Sequence, residues 1–222
     1  MKKLLLLTFM SVFVSTLFAQ QLYIDAFSGY NLTAYQDTPQ YSDGTGYVPI
    51  GARIGGGLEH VQLGLEYQQQ ASNPVFEISN ELGVRTFDQE FITTYYGGFV
   101  RGNLSTLPAY RFGVILMAGV GQYNTEVQQT DFLSQTMQTI KYDKTLGYNF
   151  KIGFSSPIYT ILHWEFGYQI NIVDRPENLG LPAHNAIHHS FQAGLSLNFV
   201  FGNVAKKCRR VIDTGASGRG WR

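Results

Sequence analysis

From Leu22 onward the chain falls into segments in which apolar and polar side chains largely alternate. In residues 22–32, Leu22, Ile24, Ala26, Tyr30 and Leu32 share one face, and Asp25, Gly29 and Asn31 share the other. The same period of two runs through 50–59, 61–69, 110–123, 145–154, 161–172 and 189–201. Segment 91–102 is apolar on both faces and leaves its parity open, with a bulge expected at Gly97-Gly98. Period two over such lengths specifies strands rather than helices. The pattern therefore predicts an all-β chain of eight strands.

A soluble sandwich would bury the apolar faces against each other, whereas a membrane barrel would turn them to lipid. Strands of about ten residues suit the second case. The connections after strands 1, 3, 5 and 7 are long, about 14–20 residues, and those after 2, 4 and 6 are short, the asymmetry of a meandering membrane barrel. An even count puts both chain ends on the short-turn side. On the apolar face, Tyr30, Tyr67, Tyr148, Tyr168 and Phe191 fall near the long-loop ends, and Phe112, Phe154 and Phe199 near the short turns. Two such rings are the interfacial girdles of a barrel in lipid. Hydrocarbon offers no water to an open sheet edge, so the strands close. The predicted fold is an eight-stranded antiparallel up-and-down transmembrane β-barrel over residues 20–202, with long extracellular loops and short periplasmic turns.

Composition sharpens this picture. Charged residues are 14% of the chain, while Gly reaches 24 and Tyr and Phe reach 14 and 16. These are mediocre or poor helix formers, and a disordered chain would carry few aromatics. The lone Cys208 excludes an internal disulfide framework and a multi-cysteine metal site. The net charge of zero gives no case for nucleic acid, but it hides an asymmetry. Residues 20–202 hold 8 of 16 cations and 15 of 16 anions, a net of −7, while six cations lie in 203–222.

Met1-Lys2-Lys3, an apolar run from Leu4 to Phe18 and Ala19 make a secretory signal peptide over 1–19. Residues 203–222 form a basic tail rich in Gly and Ser, expected to be disordered on the periplasmic side. It offers a contact to anionic headgroups or an envelope partner, and Cys208 within it is available for an intermolecular disulfide.

The stretch Gln192-Ala193-Gly194-Leu195-Ser196-Leu197-Asn198-Phe199 resembles the terminal-strand insertion signal of outer-membrane proteins, in its polar Gln192, Gly194, hydrophobic Leu197 and aromatic Phe199. With the signal peptide and loop asymmetry, the chain resembles the small eight-stranded outer-membrane barrels that include the OmpA transmembrane domain and OmpX. The resemblance covers 20–202 in pattern and architecture. It implies the outer membrane of a Gram-negative-type bacterium, insertion by the barrel-assembly machinery, and contact with outer-membrane lipid and lipopolysaccharide. In that group the signal usually closes the chain, whereas here about twenty residues follow it.

Parity turns Asp25, Arg53, Glu66, Arg111, Lys151 and Glu165 into the lumen, three of each sign. A turn near His60 sets Arg53 opposite Glu66 or Tyr67, and one near Pro157 sets Lys151 almost opposite Glu165. Leaving such charges unpaired in a narrow lumen costs several kcal/mol, which favours ion pairs that close it over charges facing residual lumen water. His188-His189-Ser190 resembles the His-any-Ser of the barrel-forming lipid A deacylases, but parity turns His188 and Ser190 inward and Phe191-Gln192-Ala193 replaces that family's Asn-Ala-Gly. His184, His188 and His189 read as polar rim residues, and the glycines of 54–57 and 119–121 lack the following helix of a phosphate loop. No catalytic residue, metal or cofactor is assigned.

Tyr35, Tyr41, Tyr47, Phe76, Phe87 and Phe132 lie in the long loops among Gln, Thr, Ser and Asp. They suit partner or glycan binding, or packing into an ordered crown. The function read from the sequence is a non-enzymatic structural or surface-binding barrel. The alternatives are an accessory subunit of a larger envelope complex, a lipid A-modifying hydrolase or a narrow pore. Phe199→Ala with Gly194→Arg is expected to leave the chain exported but unassembled, whereas truncation after Gly202 assembles normally. The gel mobility of unheated membrane fractions checks both. A truncation that blocks assembly while the double variant inserts would displace the proposed terminal strand.

Overall fold

Among the described residues ten antiparallel strands follow one another along the chain: β1 (Gln21–Gln36), β2 (Gly44–Gly57), β3 (Val61–Ser72), β4 (Val75–Asn80), β5 (Gly83–Asn103), β6 (Gly113–Asp131), β7 (Met137–Lys141), β8 (Thr145–Pro157), β9 (Leu162–Arg175) and β10 (His184–Val200). The computed structural model describes residues 21–36, 44–58, 60–73, 75–80, 83–104, 113–131, 137–159, 161–176 and 183–201. The predicted signal peptide, the basic tail with Cys208, and Arg111, Phe112, Tyr41 and Phe132 lie outside them.

Eight of the strands close on themselves in the order β1-β2-β3-β5-β6-β8-β9-β10, with β5 paired to β6 and β10 to β1. The predicted eight-stranded up-and-down barrel is the observed fold. One circuit of the register runs Leu32, His189, Ile170, Phe150, Ala118, Val100, Leu63, Gly56 and back to β1 at Leu22. The shear is therefore ten residues (32 − 22). Eight strands with that shear tilt by roughly 40° to the barrel axis, within the range of membrane barrels.

The alternation places side chains as the tilt requires. Inward residues of β3 are Gln62, Gly64, Glu66, Gln68 and Gln70, all buried, while Val61, Leu63 and Tyr67 are exposed. The outward face of β8 carries Leu146, Tyr148, Phe150, Ile152 and Phe154, each 41–63% exposed. Water would penalise so large an apolar surface, and hydrocarbon accepts it. Tyr30, Phe191 and Tyr168 are successive cross-strand neighbours, and Tyr67 and Tyr96 sit with ring centroids 5.4 Å apart, giving an aromatic band toward the β4 and β7 end.

The strands are longer than the predicted ten residues, and part of the expected loop is strand. β5 has 21 residues. At about 3.3 Å per residue and this tilt it rises about 50 Å, against about 30 Å of hydrocarbon. The change of environment shows on its outward face. Tyr96, Gly98 and Val100 give way beyond Tyr96 to Thr94, Ile92 and Glu90, and on β6 Leu116, Ala118 and Val120 give way to Asn124, Glu126 and Gln128. β4 continues the line of β3 along β5, and β7 leads into β8 along β6, so a four-stranded sheet β4-β5-β6-β7 continues past the aromatic band. Its exposed Glu126–Lys141 ion pair, 2.7 Å, belongs in water.

Two local expectations change. β5 pairs without interruption through Gly97 and Gly98, so no bulge lies there, and Phe91, Thr93, Tyr95, Gly97, Phe99 and Arg101 point inward. The irregularity falls instead between Phe27 and Gly29 of β1, opposite Gly51 and Val48. Pro49 lies in the extra step of β2, where its missing N–H breaks no ladder bond.

The inward aromatic rings explain much of the glycine. Tyr23 pairs with Gly55, Phe27 with Gly51 and Phe99 with Gly64. A Cβ at these glycines would meet the ring of its partner at 2.7, 2.1 and 2.4 Å respectively. The outer end of each ring occupies the space that a side chain at its glycine would take, which is how a lumen this narrow holds large side chains. By contrast, outward Gly98 has only the Gly64 oxygen near it, at 3.7 Å. Gly64→Ala is therefore expected to cost about 1–3 kcal/mol by overpacking, and Gly98→Ala to be neutral or stabilising by up to about 1 kcal/mol. Urea unfolding in lipid vesicles measures both. The folded wild type, being closed, should also run ahead of its boiled form on a gel.

Candidate functional site: the charged lumen

Eight strands leave an interior that side chains fill, and here the centre is filled by ions. Arg53 reaches the axis from β2. Its guanidinium donates to Asp25 at 2.8 Å, Glu66 at 3.0 Å and the amide oxygens of Gln169 and Gln192, both at 2.8 Å. The Phe27 ring lies 3.8 Å beneath it, in the space that Gly51 leaves open. Arg53, Asp25 and Glu66 have side chains with no solvent exposure.

Glu165 anchors the second half. Lys151 reaches it at 2.5 Å, Arg101 at 3.1 Å and Arg53 at 3.9 Å. Together, Arg53, Arg101 and Lys151 face Asp25, Glu66 and Glu165, three charges of each sign. Amides satisfy part of the remaining hydrogen-bonding capacity, while among the described residues Asp25 Oδ1 and Arg53 Nε have no hydrogen-bond partner. Asn149 donates to Glu66 at 3.1 Å, and Gln169 donates to Gln68, Asn171 and Glu66 at 2.9–3.3 Å. A buried charge is tolerable when paired and hydrogen-bonded in this way.

Arg53 stands opposite Glu66 in the β2–β3 register. Lys151 stands opposite Gln169, not Glu165, because the β8–β9 turn centres on residue 160 (Pro157 pairs with His163) rather than near Pro157. Lys151 still meets Glu165, four residues along β9. Its stem passes over Gly167, where a Cβ would meet the Lys151 Cε at 2.6 Å. Arg101, which the ambiguous parity of 91–102 hid, supplies the third cation, and its guanidinium covers the Tyr23 ring at 4.4 Å. Gln192 of the terminal-strand signal is buried on Arg53, Gly194 packs against Phe27, and Leu197 is 38% exposed on the outer face.

No family model matches the chain, and no curated protein does. Among solved structures, the crystal structure of Neisserial surface protein A aligns with a TM-score of 0.53 at 12% identity, over 80% of this chain and 97% of that one. Ail of Yersinia pestis, in complex with the heparin analogue sucrose octasulfate, aligns at 0.48 and 9%, over 81% and 98%. OprG of Pseudomonas aeruginosa aligns at 0.48 and 13%, over 82% and 97%. The chain has the fold of the small outer-membrane barrels. At these identities the likeness is one of architecture.

Toward the β4 and β7 end a second polar group crosses the lumen. Arg175 donates to Thr93 at 2.9 Å and to Thr125 at 3.3 Å, and lies 3.1 Å from His188 Nε2. His188 Nδ1 shares a 2.7 Å bond with Thr33, while the Ser190 hydroxyl donates to Asn31 at 3.2 Å. Imidazole and hydroxyl thus have separate partners, and both are buried inside the barrel, away from lipid. His189 points outward to Tyr168, so His188 and His189 do not share a face. Among the described residues no group of three His, Cys, Asp or Glu could hold a metal ion. Parity already turns His188 inward, whereas Arg175 lies past the predicted strand end at 172, and continued alternation is the signal that finds it.

Glu165→Gln removes a carboxylate shared by two direct cationic partners and leaves the cluster one positive charge in excess. The expected cost is about 3–5 kcal/mol, the figure for breaking a buried pair. Lys151→Met with Glu165→Leu restores neutrality but leaves Arg101 without this carboxylate, so recovery is partial. Refolding titrations into lipid vesicles read both. Equal, additive effects of the two single changes would mean that the two groups do not interact.

Proposed function

We propose that this chain is an exported outer-membrane barrel that works through its protruding sheet, as a structural or surface-binding module, and that it neither conducts nor catalyses. The observation that carries the reading is the sheet β4-β5-β6-β7. Among the described residues β4 pairs only with β5 and β7 only with β6, so each has one open edge. Open strand edges beyond the membrane are templates for an added strand of a partner. β7 is exposed, with Met137 at 67%, and the inner face is held by Phe91 stacked on Tyr142 at 6.4 Å. Tyr35, Tyr47, Phe76 and Phe87 lie in strands β1, β2, β4 and β5 of the extended wall. They are the proposed loop-binding aromatics, here carried on strand extensions.

The ion cluster supports the non-conducting part, since Arg53 and its partners span the axis. The outward apolar belt supports residence in outer-membrane lipid and lipopolysaccharide, with insertion by the barrel-assembly machinery. A photo-crosslinker at Gln138 on intact cells is expected to give a discrete adduct, and one at Tyr159 on the opposite rim none. Adducts from Tyr159 alone would favour an accessory subunit docked from the periplasm. Planar-bilayer recordings should show no steady large conductance, and lipid A mass spectra should not change with the protein. A long-lived open pore or a shortened lipid A would overturn the reading.

A further inference from the structure

The outer wall carries a groove of about 540 Å³ across β5, β6, β8 and β9. Two cross-strand rows line it. One runs Tyr168, Ile152, Leu116, Gly102, and the other Ile170, Phe150, Ala118, Val100. Apart from Lys151 and the Tyr168 hydroxyl its lining is apolar, and Val100, Leu116, Phe150 and Ile152 are 44–52% exposed to the membrane side. The floor is low because Gly102 has no side chain and Ala118 only a methyl. Packing does not demand this glycine. A Cβ at Gly102 would meet only the Leu116 oxygen, at 3.7 Å, whereas inward Gly64 and Gly51 would meet atoms at 2.4 and 2.1 Å.

The register gives the groove a direction. Cross-strand rows descend from Leu32 at one end of β1 to Leu22 at the other in one circuit, so the groove slopes across the wall. Three strand spacings make it roughly 14 Å long. Its upper end is Tyr168, in the aromatic band beside Phe191, and its lower end is Gly102, next to the short-turn rim. At the upper end the Tyr168 hydroxyl and His189 Nδ1 share a 2.6 Å bond with their rings stacked, a polar pair on an otherwise apolar face. A sloping apolar trough that starts at a polar pair on the interface has the layout of a lipid, head at the boundary and tail in the hydrocarbon.

We propose that this groove holds one acyl chain of a diacyl phospholipid, with the lipid's polar head at the Tyr168–His189 pair. The proposal rests on the membrane-spanning reading. No hydrophobic effect distinguishes a tail in the groove from one in bulk lipid, because both surroundings are hydrocarbon. The selection comes from van der Waals contact on three sides of the chain and from hydrogen bonding at the head.

Purified barrel is exchanged into mild detergent with palmitoyl-oleoyl phosphatidylethanolamine, and native mass spectrometry counts the lipid retained. The wild type is expected to keep one lipid, and to prefer it over diacylglycerol of the same chains. Gly102→Leu with Ala118→Phe fills the trough and should lower retention at least fivefold. Gly102→Val alone should lower it at least twofold and decides the matter if the double variant does not fold. Ala26→Phe, on the opposite wall, should change nothing. Tyr168→Phe with His189→Leu should erase the preference over diacylglycerol. Heat-modifiable gel mobility reports separately that each barrel is closed and folded. Folded wild type that keeps no lipid, filled variants that keep as much as wild type, or a wild-type dimer that the filled variants break would each overturn the acyl site while leaving the barrel reading intact.

Discussion

The Arg53 guanidinium is bonded from β1 by Asp25, from β3 by Glu66, from β9 by Gln169 and from β10 by Gln192, so one cation ties together strands that face each other across the lumen. Its position constrains much else. Phe27 sits beneath it only because Gly51 is opposite, and Lys151 reaches Glu165 only because Gly167 leaves its path clear. The register is constrained as well. A one-residue slip of β2 would turn Arg53 into lipid and leave Asp25 and Glu66 charged inside, a penalty of several kcal/mol for each ion. The ions contribute less to net stability than to the uniqueness of the pairing.

The neutral count depends on strands that are far apart in sequence. The cations come from β2, β5 and β8, and the carboxylates from β1, β3 and β9. Lys151 meets Glu165 within the β8–β9 hairpin, whereas Arg101 of β5 and Arg53 of β2 reach Glu165 only when the barrel closes. An open sheet would hold Arg53 with Asp25 and Glu66 on neighbouring strands but would leave Arg101 remote from Glu165. Closure is therefore favoured from inside by charge and from outside by the exclusion of open edges from hydrocarbon.

What could be read from the sequence follows the strength of the alternation. Where one face is plainly apolar, as in 61–69 and 145–154, strand and parity were both legible. The spacing of Arg53 and Glu66 about a tight turn sets their register closely, because a hairpin leaves little freedom. Lys151 and Glu165 needed more than spacing. The turn centre lay about three residues beyond Pro157, and the glycine at 167 carries the contact. Arg101 was hidden because Phe91, Tyr95 and Phe99 are inward aromatics, which made both faces of β5 look apolar. The strand extensions were hidden for the opposite reason. Beyond Tyr96 and Gln122 the outward face turns mostly polar, Ile92 apart, while the inward face keeps Phe91 and Val127, so strand in water looks like loop when lipid is expected outside.

The same distinction between faces separates two kinds of glycine, which composition alone cannot do. Inward Gly51, Gly55 and Gly64 are each matched by a ring on the neighbouring strand, and their lack of a side chain is consumed within the wall. The abundance of Gly together with Tyr and Phe is in part this pairing repeated round a narrow barrel. Outward Gly98 and Gly102 have no ring opposite, and a Cβ on either would find only ordinary contact at 3.7 Å. A glycine in a strand gives up side-chain packing and costs conformational entropy. Inside, the aromatic ring offsets that cost. Outside, at Gly102, nothing within the chain does, so any compensating contact has to come from what fills the groove in the membrane.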